Sequence, residues 1–245
     1  MEQSIRQLNP LTKLTFTICA SISVFFADYQ YALGMFLILL MLATLCRVVK
    51  QYLSTLAKTL LILILLMFLL QALFYPGKEL IWQWSFLSIK KEGLLYALSL
   101  SSKILVIGGS ILLFFLITPV KDLVRALEQR GLSPTFSYVI LSTLQIVPQM
   151  EKRSHQIMEA QRSRGVETEG NLMQRAKAFI PSLGPLILSS IVSTEERAIT
   201  LEARAFSAPV KKVRLYVVSD TQLDRWLRIL FVVLLIFFII GRLIQ

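Results

Sequence analysis

Two short stretches of this 245-residue chain carry the same residue types in nearly the same order. One is Glu159-Ala160-Gln161-Arg162-Ser163-Arg164-Gly165. The other is Leu201-Glu202-Ala203-Arg204-Ala205, followed by Phe206. They read as imperfect copies of one motif placed at two helix ends. The chemistry on offer is recognition, because a guanidinium presents a rigid fork of donors that pairs bidentately with a carboxylate. At the tip of a stiff helix, such an Arg anchors that helix in an acidic groove, and two tips serve two partners. A plainer role stays open for each motif alone. An Arg in a last turn meets the negative end of the helix dipole, worth about 0.3–1 kcal/mol, and Gly165 is a common residue just past a helix end.

Two amphipathic helices must position these tips. The first is expected from Pro148, a good first-turn residue, to Gly165. Val147, Met150, Ser154, Ile157 or Met158, and Gln161 share one face at steps of three and four. The second is expected from Pro185 to Phe206, with Ile187, Ile191, Thr194, Ala198, Leu201 and Ala205 in the same rhythm. Ser189, Ser190, Ser193 and Ala203 keep it slim enough for another helix to cross closely. Glu151, Lys152 and Glu159, and then Glu195, Glu196 and Arg197, supply the polar faces. The apolar runs Phe136 to Leu144 and Phe179 to Val192, interrupted or followed by Pro148, Pro181 and Pro185, read as helices that bury one face.

The rest of the chain is a membrane protein. It is 55% apolar and only 17% charged, with mean hydropathy +0.66, and the excess is gathered in blocks. The blocks run from Leu11 to Ala27, Tyr31 to Leu45, Leu56 to Tyr75, Leu94 to Ile117 and Trp226 to Ile240. A spanning helix needs roughly 20 apolar residues. The third and fourth meet this, while the first, second and fifth depend on their flanks or a thin bilayer. The expected fold class is all-α, a polytopic membrane helix bundle with a cytoplasmic domain of long amphipathic helices. Its parts are transmembrane helices 1–4 in 1–117, the cytoplasmic domain in 118–225, and a C-terminal transmembrane helix in 226–245.

Ser23-Val24-Phe25-Phe26-Ala27 is a poor cleavage site, so the first block is expected to be retained rather than removed as a signal. Arg6 and Lys13 precede it, and Arg47, Lys50 and Lys58 follow the second block, whereas Asp28-Tyr29-Gln30-Tyr31 has no basic residue. The positive-inside rule puts the N-terminus in the cytoplasm. Lys78, Lys90 and Lys91 in the predicted outer loop dissent, partly offset by Glu79 and Glu92. Trp82, Trp84 and Phe86 there suit an interface.

Several classes fall away. Net charge is +11, but the basic residues flank apolar blocks and form no stripe interleaved with aromatics, so nucleic acid is not expected as a partner. Cys19 and Cys46 have neither metal-ligand spacing nor the number for a disulfide framework. There is no P-loop and no Gly-x-Ser-x-Gly, and Glu195-Glu196 lacks companion histidines. The sole histidine, His155, lies on an amphipathic helix and reads as solvated or partner-facing. Neither an enzyme nor a resident cofactor or metal is expected. Lys103 is the oddest residue inside a span, where a charge costs about 2.5–3.5 kcal/mol; its stem can snorkel, and a structural or coupling role is expected. Gly108-Gly109 allows a close helix crossing. A stand-alone transporter would show internal repeats with helices broken at the midplane, which are not evident. It and a conventional ABC permease remain the alternative.

In order along the chain, these features resemble the transmembrane coupling (T) component of energy-coupling factor transporters, ABC-type importers of vitamins and transition-metal ions. Asn9-Pro10-Leu11-Thr12-Lys13-Leu14 is similar to the family's opening Asp-Pro-Arg-Thr-Lys-Leu. Thr118-Pro119-Val120-Lys121-Asp122-Leu123 with Ala126-Leu127 matches the segment after its fourth span, and Arg130-Gly131-Leu132-Ser133-Pro134 its Gly-Leu-Pro turn. Glu151 with Ala160 to Gly165, and Glu196-Arg197 with Leu201 to Ala205, match its two Ala-Arg-Gly signatures. Ala205 stands where Gly is usual, and Ser163 replaces a common Ala. The resemblance implies docking of two ABC ATPase subunits through Arg164 and Arg204, with Arg162, Ser163, Gly165, Ala203 and Ala205 around them. It also implies a small substrate-binding membrane protein, the S component, against the apolar helices. ATP would be bound by the partners, and Lys103, Glu151, Glu196 and Arg197 are candidates for structural or coupling roles.

Overall fold

The computed structural model describes residues 8–76, 80–84, 87–166, 170–209 and 216–244. Arg6, Lys78, Glu79 and Phe86 of the topology argument lie outside them. The described chain is helical apart from one hairpin. Its helices are α1 (Pro10–Phe25), α2 (Tyr29–Leu45), α3 (Val49–Phe74), α4 (Lys91–Ile117), α5 (Val120–Gln129), α6 (Pro134–Ser163), α7 (Leu172–Ala203) and α8 (Gln222–Ile244). Strands β1 (Leu80–Trp84) and β2 (Leu87–Lys90) pair antiparallel where the sequence suggested a plain loop.

Contacts divide the chain into two compact units, one formed by the chain up to Gly131 and from Val217 on, the other by Leu132–Tyr216. The second falls inside the 118–225 stretch expected as one domain. α5 groups with the first unit because it packs on α1, burying Val124 and Ala126.

In the first unit α4 is the central helix, packed against α1, α2 and α3. Its inward face is built of small residues, including Gly93, Ala97, Ser101, Ser102, Gly109 and Ser110, which let backbones approach. A Cβ on Gly108 would lie 2.5 Å from Leu60 Cδ1, and one on Gly109 would lie 2.5 Å from the Tyr52 hydroxyl. The close crossing expected at Gly108-Gly109 is therefore formed, by α3. Val24, Leu39, Tyr52, Val106 and Leu113 fill the core, while Leu61, Ile62 and Leu65 of α3 point outward. Exposed aliphatics of this size suit contact with lipid. α3 and α4 are long and apolar enough to cross a membrane; α1 and α2 are shorter apolar helices.

α8 runs alongside α1 in the same direction. Phe231 packs on Phe16 with centroids 5.3 Å apart, and Phe238 stacks on Tyr31 at 4.6 Å. One buried carboxylate joins their starts. Thr221 and Asp224 form a capping box at the head of α8: the Thr221 N–H and hydroxyl donate to Asp224 Oδ2 at 3.1 and 2.6 Å, and the Asp224 N–H donates to Thr221 Oγ1 at 3.3 Å. The other oxygen, Oδ1, accepts from the Asn9 N–H and the Thr12 hydroxyl, both at 3.0 Å. Asn9 itself caps α1 through its side-chain oxygen, which accepts from the Leu11 N–H at 2.9 Å, and its amide nitrogen donates to Ser219 O at 3.1 Å. Asp224 is 1% exposed. Burial alone would push its carboxyl up, but these hydrogen bonds outweigh burial and hold it below the ordinary carboxylate range.

At the opposite end of α1, Lys103 Nζ donates to Phe25 O at 3.1 Å. Arg242 donates to Phe26 O at 3.2 Å and pairs with Asp28 at 2.7 Å. Two cations thus meet unsatisfied carbonyls at a helix C-terminus, where the dipole favours positive charge.

The second unit is an antiparallel pair. Met150 faces Ser190, Met158 faces Ser182, and Phe206 packs on Tyr138 with centroids 5.2 Å apart. Both helices begin earlier than the sequence suggested, and Pro148, Pro181 and Pro185 lie inside them. A proline inside a helix forfeits a backbone hydrogen bond and costs about 3 kcal/mol. Stopping the helix would leave more backbone groups unpaired, a heavier cost near apolar surroundings.

Candidate functional site

The two Arg motifs close their helices with the same backbone geometry. At the end of α6, Gly165 N–H donates to Arg162 O at 2.9 Å and Val166 N–H reaches back to Gln161 O at 3.1 Å. At the end of α7, Ala205 N–H donates to Glu202 O at 2.9 Å and Phe206 N–H to Leu201 O at 3.0 Å. Each pair of bonds is a Schellman motif. Arg164 and Arg204 occupy the equivalent cap position, and the next residue takes the left-handed conformation, with φ 87° at Gly165 and φ 58° at Ala205. The sequence resemblance between the stretches is therefore a repeat of structure. Ala205 keeps the Gly-type conformation in spite of its Cβ.

All seven tip residues, Arg162, Ser163, Arg164 and Gly165 with Ala203, Arg204 and Ala205, are exposed. Ser163 donates to Glu159 O at 3.1 Å within the helix, and Ser207 donates to Glu202 beside the second tip. Because the helices are antiparallel, Arg164 and Arg204 point to opposite ends of the pair. From Tyr138, which meets Phe206, to Arg164 is a run of α6 about 39 Å long at 1.5 Å per residue.

Between the tips the helices are locked by polar contacts. Arg153 donates to Ser189 O at 3.2 Å and to Ser193 Oγ at 3.3 Å, and Arg197 donates to Gln149 Oε1 at 2.7 Å. The packed face of α7 is Ser182, Leu186, Ser189, Ser190, Ser193, Arg197 and Leu201. This corrects the expected apolar face: Ile187, Ile191, Thr194 and Ala198 are exposed. On α6, Val147 is likewise exposed, whereas Met150, Ser154, Ile157, Met158 and Gln161 are partly buried. The apolar runs do not bury one face within the pair. Small serines permit the close approach, and the bulky aliphatics point away from it.

Of the coupling candidates, Arg197 joins this lock and Lys103 caps α1, whereas Glu151 and Glu196 are exposed on the outer faces. His155 is exposed too. No group of three metal-binding side chains occurs among the described residues. Sequence reasoning missed Arg153, Gln149 and Asp224. Only Asp224 had a local signal, the capping-box pattern Thr221-x-x-Asp224.

Residues 1–215 match the CbiQ family, described as cobalt transport protein. The chain belongs to the CbiQ family. Curated relatives match over most of their length and are named energy-coupling factor transporter transmembrane protein EcfT. The protein of Streptococcus equi subsp. equi is 31% identical over 241 residues, 94% of this chain and 89% of its own. That of Lacticaseibacillus paracasei is 32% identical over 212 residues, 82% and 80% of the two chains. The Acidaminococcus fermentans protein is 29% identical over 223 residues, 86% and 82%. The CbiQ chain is thus a transmembrane component of an energy-coupling factor transporter, with no catalysis of its own.

Proposed function

We propose that this CbiQ-family subunit carries ATP-driven motion from two ABC ATPase subunits to a small substrate-binding membrane protein. Arg164 and Arg204 each enter an acidic groove of one ATPase. The observation that carries this reading is the pair of matching Arg-capped ends at opposite extremes of one locked helix pair. Two like engines approaching each other need two like handles, and the Arg153 and Arg197 bonds let a push at either end move both helices.

The N-terminus and the Leu132–Tyr216 unit lie in the cytoplasm on this reading. The bundle end that holds the starts of α1, α3 and α8 carries Lys13, Lys50, Arg225 and Arg228, as the positive-inside rule requires. The outward aliphatics of α3 are left to lipid, and those of α6 and α7 to the substrate-binding protein. That partner sets the cargo, a vitamin or a transition-metal ion, and ATP stays with the ATPases.

The test is co-purification and uptake with Arg164→Ala, Arg204→Ala and the double variant in the assembled transporter. Each single change is expected to weaken uptake, and the double change to detach or uncouple the ATPases. Full ATPase recovery and unchanged uptake in the double variant would overturn the assignment.

A further inference from the structure

Where α5 ends and the chain returns to α8, three arginines surround one carboxylate. Asp220 Oδ1 lies 2.6 Å from Arg228, and its Oδ2 lies 2.9 Å from Arg130 and 3.8 Å from Arg225. They line a cavity of about 590 Å3, together with Leu11 and Ile229. A single carboxylate cannot satisfy three guanidinium forks, so the lining carries a net excess of positive charge. The side chains of Arg130 and Arg225 are 54% and 68% exposed, so their pairing with Asp220 contributes little to stability. Asp224, the nearest other carboxylate along the chain, is spent on the two helix caps and does not line the cavity.

The position matters as much as the charge. Asp220 and Arg225 precede the apolar run of α8, which begins at Trp226, itself 70% exposed. Exposed Ile229 and Leu230 follow directly. The guanidiniums thus sit at the polar edge of a helix whose next turns present aliphatic surface.

We propose that Arg130, Arg225 and Arg228 form a binding site for the phosphate of an anionic phospholipid, with its acyl chains along Ile229 and Leu230 of α8. Guanidinium forks match phosphate oxygens bidentately, and a basic pocket at a helix start on the membrane surface suits such a headgroup. Asp220 preorganises the arginines and sets a ceiling on affinity, since it competes for the same donors.

The full chain, purified in mild detergent, is offered equal phosphatidylglycerol and phosphatidylcholine, and retained lipids are counted by native mass spectrometry. The unmodified chain is expected to retain phosphatidylglycerol preferentially. Arg225→Gln should cut that preference about fivefold, the change that about 1 kcal/mol per basic residue at a lipid surface corresponds to. Asp220→Asn should raise it, whereas a purely structural ion-pair network gives no gain. Arg225 touches Asp220 only at 3.8 Å, so its variant keeps the fold and decides the matter even if Asp220→Asn does not. Unchanged preference in Arg225→Gln overturns the site, as does an equal loss in the control Lys50→Gln, which would reduce it to general basicity. Displacement of phosphatidylglycerol by millimolar inorganic phosphate would mark a free-phosphate pocket and overturn the lipid assignment.

Discussion

The two matched helix ends differ at one position, and that difference sets up a reciprocal experiment. Gly165 and Ala205 both sit in the left-handed region, at φ 87° and φ 58°. A residue with a Cβ pays about 1–2 kcal/mol there. Gly recovers about 0.4–1 kcal/mol less than that difference, because it loses more freedom on folding. The net is about 1 kcal/mol in favour of Gly. A Cβ at Gly165 would meet nothing within 4 Å among the described residues, so the cost counted at that site is conformational. Ala205→Gly should therefore steady the end of α7, and Gly165→Ala should loosen the end of α6 by a similar amount. Hydrogen exchange reads this directly, since the Val166 and Phe206 N–H groups make the outermost bond of each motif. One kcal/mol corresponds to about a fivefold change in protection. Ala205→Asn should fall between, because Asn tolerates this conformation better than Ala. Uptake should change little in Ala205→Gly, as Arg204 is retained. Exchange at Phe206 that is unaffected or faster in Ala205→Gly would refute the idea that backbone strain limits this helix end.

Other expected outcomes follow from the packing. Tyr52→Phe should stabilise the detergent-solubilised protein by about 1–2 kcal/mol, since the Tyr52 hydroxyl is buried without a partner among the described residues. Gly109→Ala should destabilise it by about 1–3 kcal/mol, and much of that loss should vanish in the Tyr52→Phe background, because the new Cβ meets that hydroxyl; a thermal-melt double-mutant cycle measures the coupling. Asp224→Asn places an amide donor among donors and should cost roughly 2–3 kcal/mol in melting stability. The folded carboxyl of Asp224 titrates below its unfolded value of about 3.9. Its contribution is thus complete above that pH and is lost as pH falls through the lower, folded value; an acid-unfolding profile with the Asn variant as baseline checks the sign. Arg153→Met should leave ATPase docking intact but lower uptake per ATP hydrolysed, whereas an unchanged ratio would free the Arg153 lock of any role in transmission.

The helix tips were legible because their chemistry is local. A guanidinium followed by Gly or Ala in a fixed frame carries its own cap geometry, and the structure repeats it twice. The face of α6 was read correctly except at Val147, but that of α7 was misread because periodicity reports a stripe without saying what covers it. Ile187 and Ile191 have the spacing of a core stripe, yet Ser189, Ser190 and Ser193 make the contact. Near lipid or a partner, the bulky side chains go outward and the small ones inward. The prolines were misread for a related reason: Pro148 and Pro185 look like first-turn residues, but neighbouring turns continue on both sides. Asn9 and Thr12 stood out only through a resemblance. Their partner, Asp224, lies 215 residues away from Asn9, and single-sequence reasoning has no means of joining them.

That separation bears on how the molecule is made. At about 5–20 residues per second, the ribosome needs roughly 10–40 s to proceed from Asn9 to Asp224. Throughout that interval the head of the first helix lacks its Asp224 partner and its flank is uncovered by α8. The last helix is therefore a closing clasp, and truncation before Thr221 should leave a nascent product that quality-control proteases recognise by its unfastened first helix.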